Sequence, residues 1–468
     1  MNFWDSSTWG GINLIAIILL SLFLSNIIKR NVPFLRKSLI PTSVLGGLLL
    51  LIVSSVLDYG FGIDIYASEF MNGAGTNGLE VITYHALALG FIATTFSTVQ
   101  STKSKKRNIE IVDTGITTVT SYLMQGVLGI GITLIIGYFV PTICEYCGII
   151  LPFGFGQGTG QALNWGTIYQ TDHDFVGGAN FGLTIAALGF LSASIGGVIY
   201  LNIHKKRLMA KIGKKSEGEL SIEQVQANDE IPMNGSIDKI TFQVAFVVIS
   251  YFIAYLIMFG LGELIPSLKT LLFGFNFLFG VIVATVIKGL TNFLKKKNII
   301  RRQYMNSFLM KRIGGFFFDV MIVSGIAAIR IELLKDYWWV VAILAVVGLT
   351  FTYSYNLFVA KKLFGEYYDE QFLAMYGMLT GTASTGMVLL REIDAELKTP
   401  VAENLVFQQL PAIILGFPLM LLAKLAPTAP LLTLIIMLAM FIVLNIVLFR
   451  KFIFKKRKKK IQNKMITK

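Results

Sequence analysis

Apolar residues run along this chain in long unbroken stretches, without the period of two that marks a half-buried strand. Runs at 12–28, 240–258 and 431–449 are each long enough to cross a hydrocarbon core about 30 Å thick as a helix. The pattern predicts eleven spans, at about 12–28, 38–56, 82–100, 114–140, 176–201, 240–258, 271–291, 313–333, 338–360, 402–425 and 430–449. The residues before the first run carry Asp5 and no Lys or Arg. A secretory signal begins with a basic stretch, so this run reads as a retained span.

Two segments break the pattern. "PFGFGQGTGQALNWG" at 152–166 holds five glycines, and "GMLTGTASTGMVLLREID" at 377–394 is rich in Gly, Ser and Thr. Helix-breaking backbone at membrane depth is tolerated only where protein or water buries it, because an unpaired N–H or C=O in lipid costs several kcal/mol. Both segments are therefore expected to line a cavity.

Composition removes the soluble alternatives. The 468 residues are 54% hydrophobic and only 15% charged, against roughly 25% charged in soluble domains. The net charge of +14 does not signal nucleic acid, because Lys and Arg fall in short clusters between apolar runs. Seven lie in 203–239, eight in 288–312 and ten in 450–468, whereas the loop 57–81 has four carboxylates and no basic residue.

The positive-inside rule then places the N-terminus outside and the C-terminus in the cytoplasm of a cell inner (plasma) membrane. Both ends of 145–174 fall outside and both ends of 370–394 inside, so each is expected to form a re-entrant hairpin. One hairpin enters from each face. Five spans plus a hairpin then make a first repeat at 1–202. A cytoplasmic linker at 203–239 leads to an inverted second repeat at 240–426, and an extra span with a basic tail fills 427–468, the tail lying against anionic lipid. "LIP" at 39–41 and 264–266 is a weak echo of the duplication. The expected fold class is an all-α polytopic membrane protein, an inverted-repeat secondary transporter with about eleven transmembrane helices and two re-entrant hairpins.

Chemistry follows from the hairpins. Glycine lets backbone approach a ligand closely, and the hydroxyls of Thr159, Thr382, Ser384 and Thr385 are oxygens suited to a hard cation. Half-helix N-termini favour a carboxylate, and unwound carbonyls favour a cation such as Na⁺. The candidate substrate residues are Gln157, Gly158, Thr159, Gly160, Gln161 and Asn164 on the first segment, and Gly386 and Arg391 on the second. Thr382, Ser384, Thr385 and Asp319 are the candidate sodium ligands. Asp319 stands in a span, where an ionisable group is costly, and Lys311 or Arg312 is its alternative, interfacial partner. Glu392 or Asp394 is the alternative partner of Arg391. Arg330 is expected to snorkel to the outer interface, and Trp165 to pack. Cys144 and Cys147 form a CxxC that is too small for a structural zinc site, whether as a disulfide or as free thiols.

"GQGTG" at 156–160 and "GTASTG" at 381–386 resemble the paired hairpin signatures of the sodium:glutamate symporter family, and "IPTSVLGGLL" (40–49) and "GFIATTF" (90–96) resemble its second and third spans. The resemblance covers most of residues 10–426. It implies a homodimer that imports glutamate or a related small carboxylate with Na⁺ as the coupling ion and no organic cofactor. Gln157 stands where the family pattern has His, and Ser384-Thr385-Gly386 replaces Pro-Thr-Ala. A carrier for another dicarboxylate or organic anion, citrate-like, is the alternative. A channel would need a polar pore or rings of charge, and an enzyme would need a motif such as HExxH, GxSxG or a Walker loop. The sequence has none of these.

Overall fold

The computed structural model describes residues 3–4, 6–71, 73–97, 105–208, 238–300, 302–394 and 398–452. Most of the 203–239 linker and the basic tail beyond 452 lie outside the described residues. Helices α1 (Ser6–Asn31), α2 (Thr42–Phe61), α3 (Asn77–Phe96) and α4 (Lys105–Phe139) take up the first four expected spans. The first glycine-rich segment is α5 (Ile150–Asp172), and α6 (Gly178–Ile203) follows it. Helices α7 (Lys239–Leu264), α8 (Asn276–Lys296), α9 (Ser307–Ala327) and α10 (Trp338–Leu363) come next. The second segment forms α11 (Tyr368–Leu379) and α12 (Ala383–Arg391), followed by α13 (Val401–Phe407), α14 (Gln409–Leu425) and α15 (Pro430–Leu448).

Among the described residues nine helices are long and apolar enough to cross a membrane, or ten with α13 and α14 taken as one span bent by 49°. Helix α9 holds the remaining expected position. It carries Lys311, Arg312 and Asp319, which dilute its apolar character, and it ends before Arg330, short of the expected boundary. Rows of large apolar side chains stand exposed on α1, α7 and α15, including Phe23, Phe252 and Val443. Such continuous apolar surface suits lipid rather than water.

The chain divides into two compact units, and each draws on both halves of the sequence. The first comprises Met1–Ser101, Gly158–Ala187 and Lys214–Lys335. Its α3 and α9 pack at glycine contacts: a Cβ on Gly90 would meet the Phe318 ring at 2.8 Å, and one on Gly314 would meet Thr94 at 2.9 Å. Small residues serve this purpose in membranes, where burial from water supplies no attraction between helices. Thr83 and Ser324 share a hydrogen bond of 2.9 Å between the same helices. A core of Ile92, Phe96, Val247, Ala284 and Met310 ties α7 and α8 to them.

The second unit comprises Thr102–Gln157, Leu188–Gly213 and Asp336–Lys468. Its centre is α4, which packs against α15, with Gly126 facing Met437. The Tyr355 hydroxyl links Thr120 of α4 to Asn445 of α15 at 2.8 and 2.9 Å. Buried Asp113 pairs with Arg450 at 2.8 Å and with Lys451 at 3.3 Å. The last span is thus built into this unit.

Candidate functional site

Helix α5 is interrupted at one residue, Gly158, with φ 78° and ψ −172°. This region of backbone conformation is essentially confined to glycine. The break falls where the chain passes from the second unit to the first. The limb before it, Ile150 to Gln157, lies along α4, with Gly148 against Gly129, Pro152 against Gly126 and Gly156 under the Tyr122 ring. Tyr122 also donates to the Gly156 carbonyl at 3.0 Å.

The limb after the break belongs to the first unit and runs antiparallel to α6, with Ala162 against Gly182 and Gly166 against Gly178. Its first residues are buried. Thr159 is fully enclosed and donates its hydroxyl to the Met321 carbonyl at 3.1 Å. A Cβ on Gly160 would meet Leu87 at 2.7 Å. Gln161 is 1% exposed, yet neither atom of its amide has a hydrogen-bond partner. A buried polar group without a partner costs about 1–3 kcal/mol, which marks this amide as a candidate binding group. Asn164 is already engaged and donates to the Gly274 carbonyl at 2.9 Å. Trp165 packs, as expected, against the rings of Tyr169 and Phe275.

The second segment is a helical hairpin. Its limbs α11 and α12 run antiparallel, with Gly377 against Gly386, and a Cβ on Gly386 would stand 2.3 Å from the Ala374 carbonyl oxygen. Thr382 caps α12, its hydroxyl accepting from the Thr385 amide and lying 3.4 Å from the Thr385 hydroxyl. Thr385 is buried and Ser384 exposed. Both the Thr380 amide and its hydroxyl donate to Tyr376 O.

Gly189 of α6 joins the two segments within the second unit. A Cβ placed there would meet the Thr380 carbonyl at 2.8 Å and the Phe155 Cα at 3.2 Å. The end of the first limb and the second tip therefore close on the same point. Sequence reading passed over Gly189, because one more glycine in an apolar helix carries no signal. It also passed over Gln125 of α4, although a lone amide in the run "SYLMQGVLG" was a visible one. Gln125 is fully buried and donates to Thr352 and to the Leu379 carbonyl, each at 2.9 Å.

The charged candidates lie elsewhere. Asp319 is exposed on α9 and makes no ion pair with Lys311 or Arg312. Arg391 is exposed in the last turn of α12, where a cation suits the negative helix end. Asp394 is occupied by Lys398 N and Thr399. Arg330 is exposed past the end of α9: its guanidinium donates to Thr76 at 2.6 Å, and its backbone exchanges hydrogen bonds with the Asn180 amide. It sits past the end of α9, so the loop holds it. Cys144 and Cys147 are free thiols.

A family model described as sodium/glutamate symporter matches residues 9–395. No curated protein matches the chain.

Proposed function

We propose, for a chain that belongs to the sodium/glutamate symporter family, that glutamate is taken at the start of the second limb of α5, in the first unit, and sodium at the second tip, in the second unit. The protein is a multi-pass membrane protein and a sodium-coupled glutamate symporter. One observation carries the site: buried Gln161, with its amide unpartnered, follows directly on the glycine-only break at Gly158. The start of that limb, with the positive end of its dipole, favours a substrate carboxylate. The Gln161 amide has a donor and an acceptor to offer, which fits the carboxylate and the ammonium of an amino acid. Thr159 and Gly160 complete this end of the site, and Gln157 and Gly386 are the proposed substrate residues of the second unit, where Gly386 lets the limbs of the second hairpin close. Asn164 steadies the limb from Gly274.

Sodium is assigned to the second tip, through the oxygens of Thr382, Ser384 and Thr385. Asp319 serves the cation's path at most, since it is exposed on α9.

The re-entrant reading of α5 is supported by chain direction in each unit taken separately. The first limb runs along α4 from Gly129 towards Tyr122, away from the Phe139 end. In the other unit the second limb starts beside Leu87 of α3, and its Asn164 bonds Gly274, next to the Phe273 carbonyl that takes the Tyr84 hydroxyl nearer the Asn77 end. Helices α3 and α4 are consecutive spans, so the Asn77 and Phe139 ends share one face. On this reading segment 145–174 enters and leaves by that face. Inverted repeats at 1–202 and 240–426, a homodimer, an outside N-terminus in an inner (plasma) membrane, and carriage without enzymatic chemistry belong to the same reading.

The test is uptake of labelled glutamate by purified protein in proteoliposomes. An imposed inward Na⁺ gradient should drive accumulation, a K⁺ gradient should not, and Gln161→Leu should raise the glutamate KM by about tenfold, the loss of one good polar contact. Wild-type KM in Gln161→Leu would place the substrate elsewhere.

A further inference from the structure

Gln125 presents a second unpartnered atom. Its Nε2 uses both hydrogens, on the Thr352 hydroxyl and on the Leu379 carbonyl. A carbonyl can only accept, so the amide cannot be turned end for end. Its Oε1 is consequently fixed in orientation, fully buried, and without a donor. The orphaned atom is an acceptor, and what it lacks is a proton donor or a cation.

The surroundings favour the cation. Leu379 is the last residue of α11, so the Gln125 amide lies at the negative end of that helix dipole. The amides of Thr380 and Gly381 near that end donate to the Tyr376 and Met378 carbonyls, so they supply no donor to Oε1. The groups bonded to Gln125 are a neutral hydroxyl and a neutral carbonyl, and a neutral oxygen environment of this kind suits a hard monovalent ion. Opposite it, α12 opens with its N-terminus at Ala383. One tip thus presents a negative helix end and a positive one.

We infer that Gln125 Oε1 is a ligand of the coupling sodium ion, seated at the C-terminal end of α11, and that Thr352 is the positioning residue that aims it. This rests on the reading that the second tip takes the cation. Gln125 moves the seat from the hydroxyl side of the tip towards the carbonyl side, and brings in a span far from the tip in sequence.

Two variants test it, each read by the Na⁺ concentration for half-maximal glutamate uptake and by the Tm shift of detergent-solubilised protein between NaCl and choline chloride. Gln125→Leu keeps the volume and removes the oxygen. It should raise the Na⁺ requirement by about tenfold, one ligand's worth of affinity, and abolish the sodium-specific Tm shift. Gln125→Glu loses the donor to Leu379 but still presents an oxygen, and should keep both the Na⁺ requirement and the Tm shift near wild type. An unchanged Na⁺ requirement in Gln125→Leu overturns the inference, and so does a tenfold rise in Gln125→Glu, which would assign Gln125 a purely structural part. The second criterion decides alone where Gln125→Leu does not fold. If wild-type uptake ignores Na⁺, or if Thr382→Val, Ser384→Ala and Thr385→Val all leave its Na⁺ dependence intact, the reading of the second tip fails. If those variants shift and Gln125→Leu does not, only the present inference does.

Discussion

A Cβ added to Gly386 would stand 2.3 Å from the carbonyl oxygen of Ala374 on the opposite limb of its hairpin. The obstacle is backbone, which cannot swing aside as a side-chain tip does, so Gly386→Ala forces α11 and α12 apart. Glutamate uptake per folded molecule should fall by about tenfold or more, as expected for a displaced binding group. Gly260→Ala is the matched control, since its Cβ would meet nothing within 4 Å, and its uptake should equal wild type.

Gly158 supplies a backbone conformation, not a contact. With φ 78° and ψ −172°, an alanine there carries strain of about 1–3 kcal/mol. Gly158→Ala should lower the Tm and remove uptake together, because straightening α5 relieves the strain at the expense of the site. Wild-type transport by this variant would mean that the break has no functional part.

The hydroxyls at the second tip are expected to govern coupling more than abundance. Ser384→Ala and Thr385→Val should each raise the Na⁺ concentration needed for half-maximal uptake, with protein yield and glutamate KM at saturating Na⁺ little changed. Parallel loss of yield would instead mark Thr385, the buried one of the pair, as a folding residue.

The thiols at 144 and 147 differ in reactivity. Burial raises the Cys144 pKa, but hydrogen bonds from the Cys147 thiol and from Tyr146 outweigh it and hold the group below the ordinary thiol range. Burial, and then Cys144 itself, pushes Cys147 well up. The thiolate is the reactive form, so Cys144 keeps it to lower pH and should be alkylated by iodoacetamide first. Its pH–rate profile should level off below that of a free thiol, as read by mass spectrometry of the 140–150 peptide. Equal rates at both positions would contradict the assignment.

Topology has its own readout. With Cys144→Ser and Cys147→Ser as background, a cysteine at Thr8 should react with an impermeant maleimide added to intact cells, and one at Lys460 only after permeabilisation. Labelling of both from the same side would overturn the orientation drawn from the basic clusters.

The sequence by itself determined the class and the inventory of spans. Hydropathy is a local property, and a run such as 430–449 must become a membrane-length helix wherever it packs, as α15 does. Local chemistry also marked both glycine-rich segments, because Gly158 needs its φ and Gly386 its missing Cβ whatever their neighbours. Helix ends were less legible: α9 stops before Arg330 because Asn180 and Thr76, distant in sequence, hold that residue. Only the tertiary structure brought Phe155 and Thr380 together on Gly189. It alone set the Gln125 amide against Leu379, 254 residues along the chain, and left Oε1 unpartnered. An unsatisfied atom is defined by what surrounds it in space, and neither residue type nor spacing encodes that.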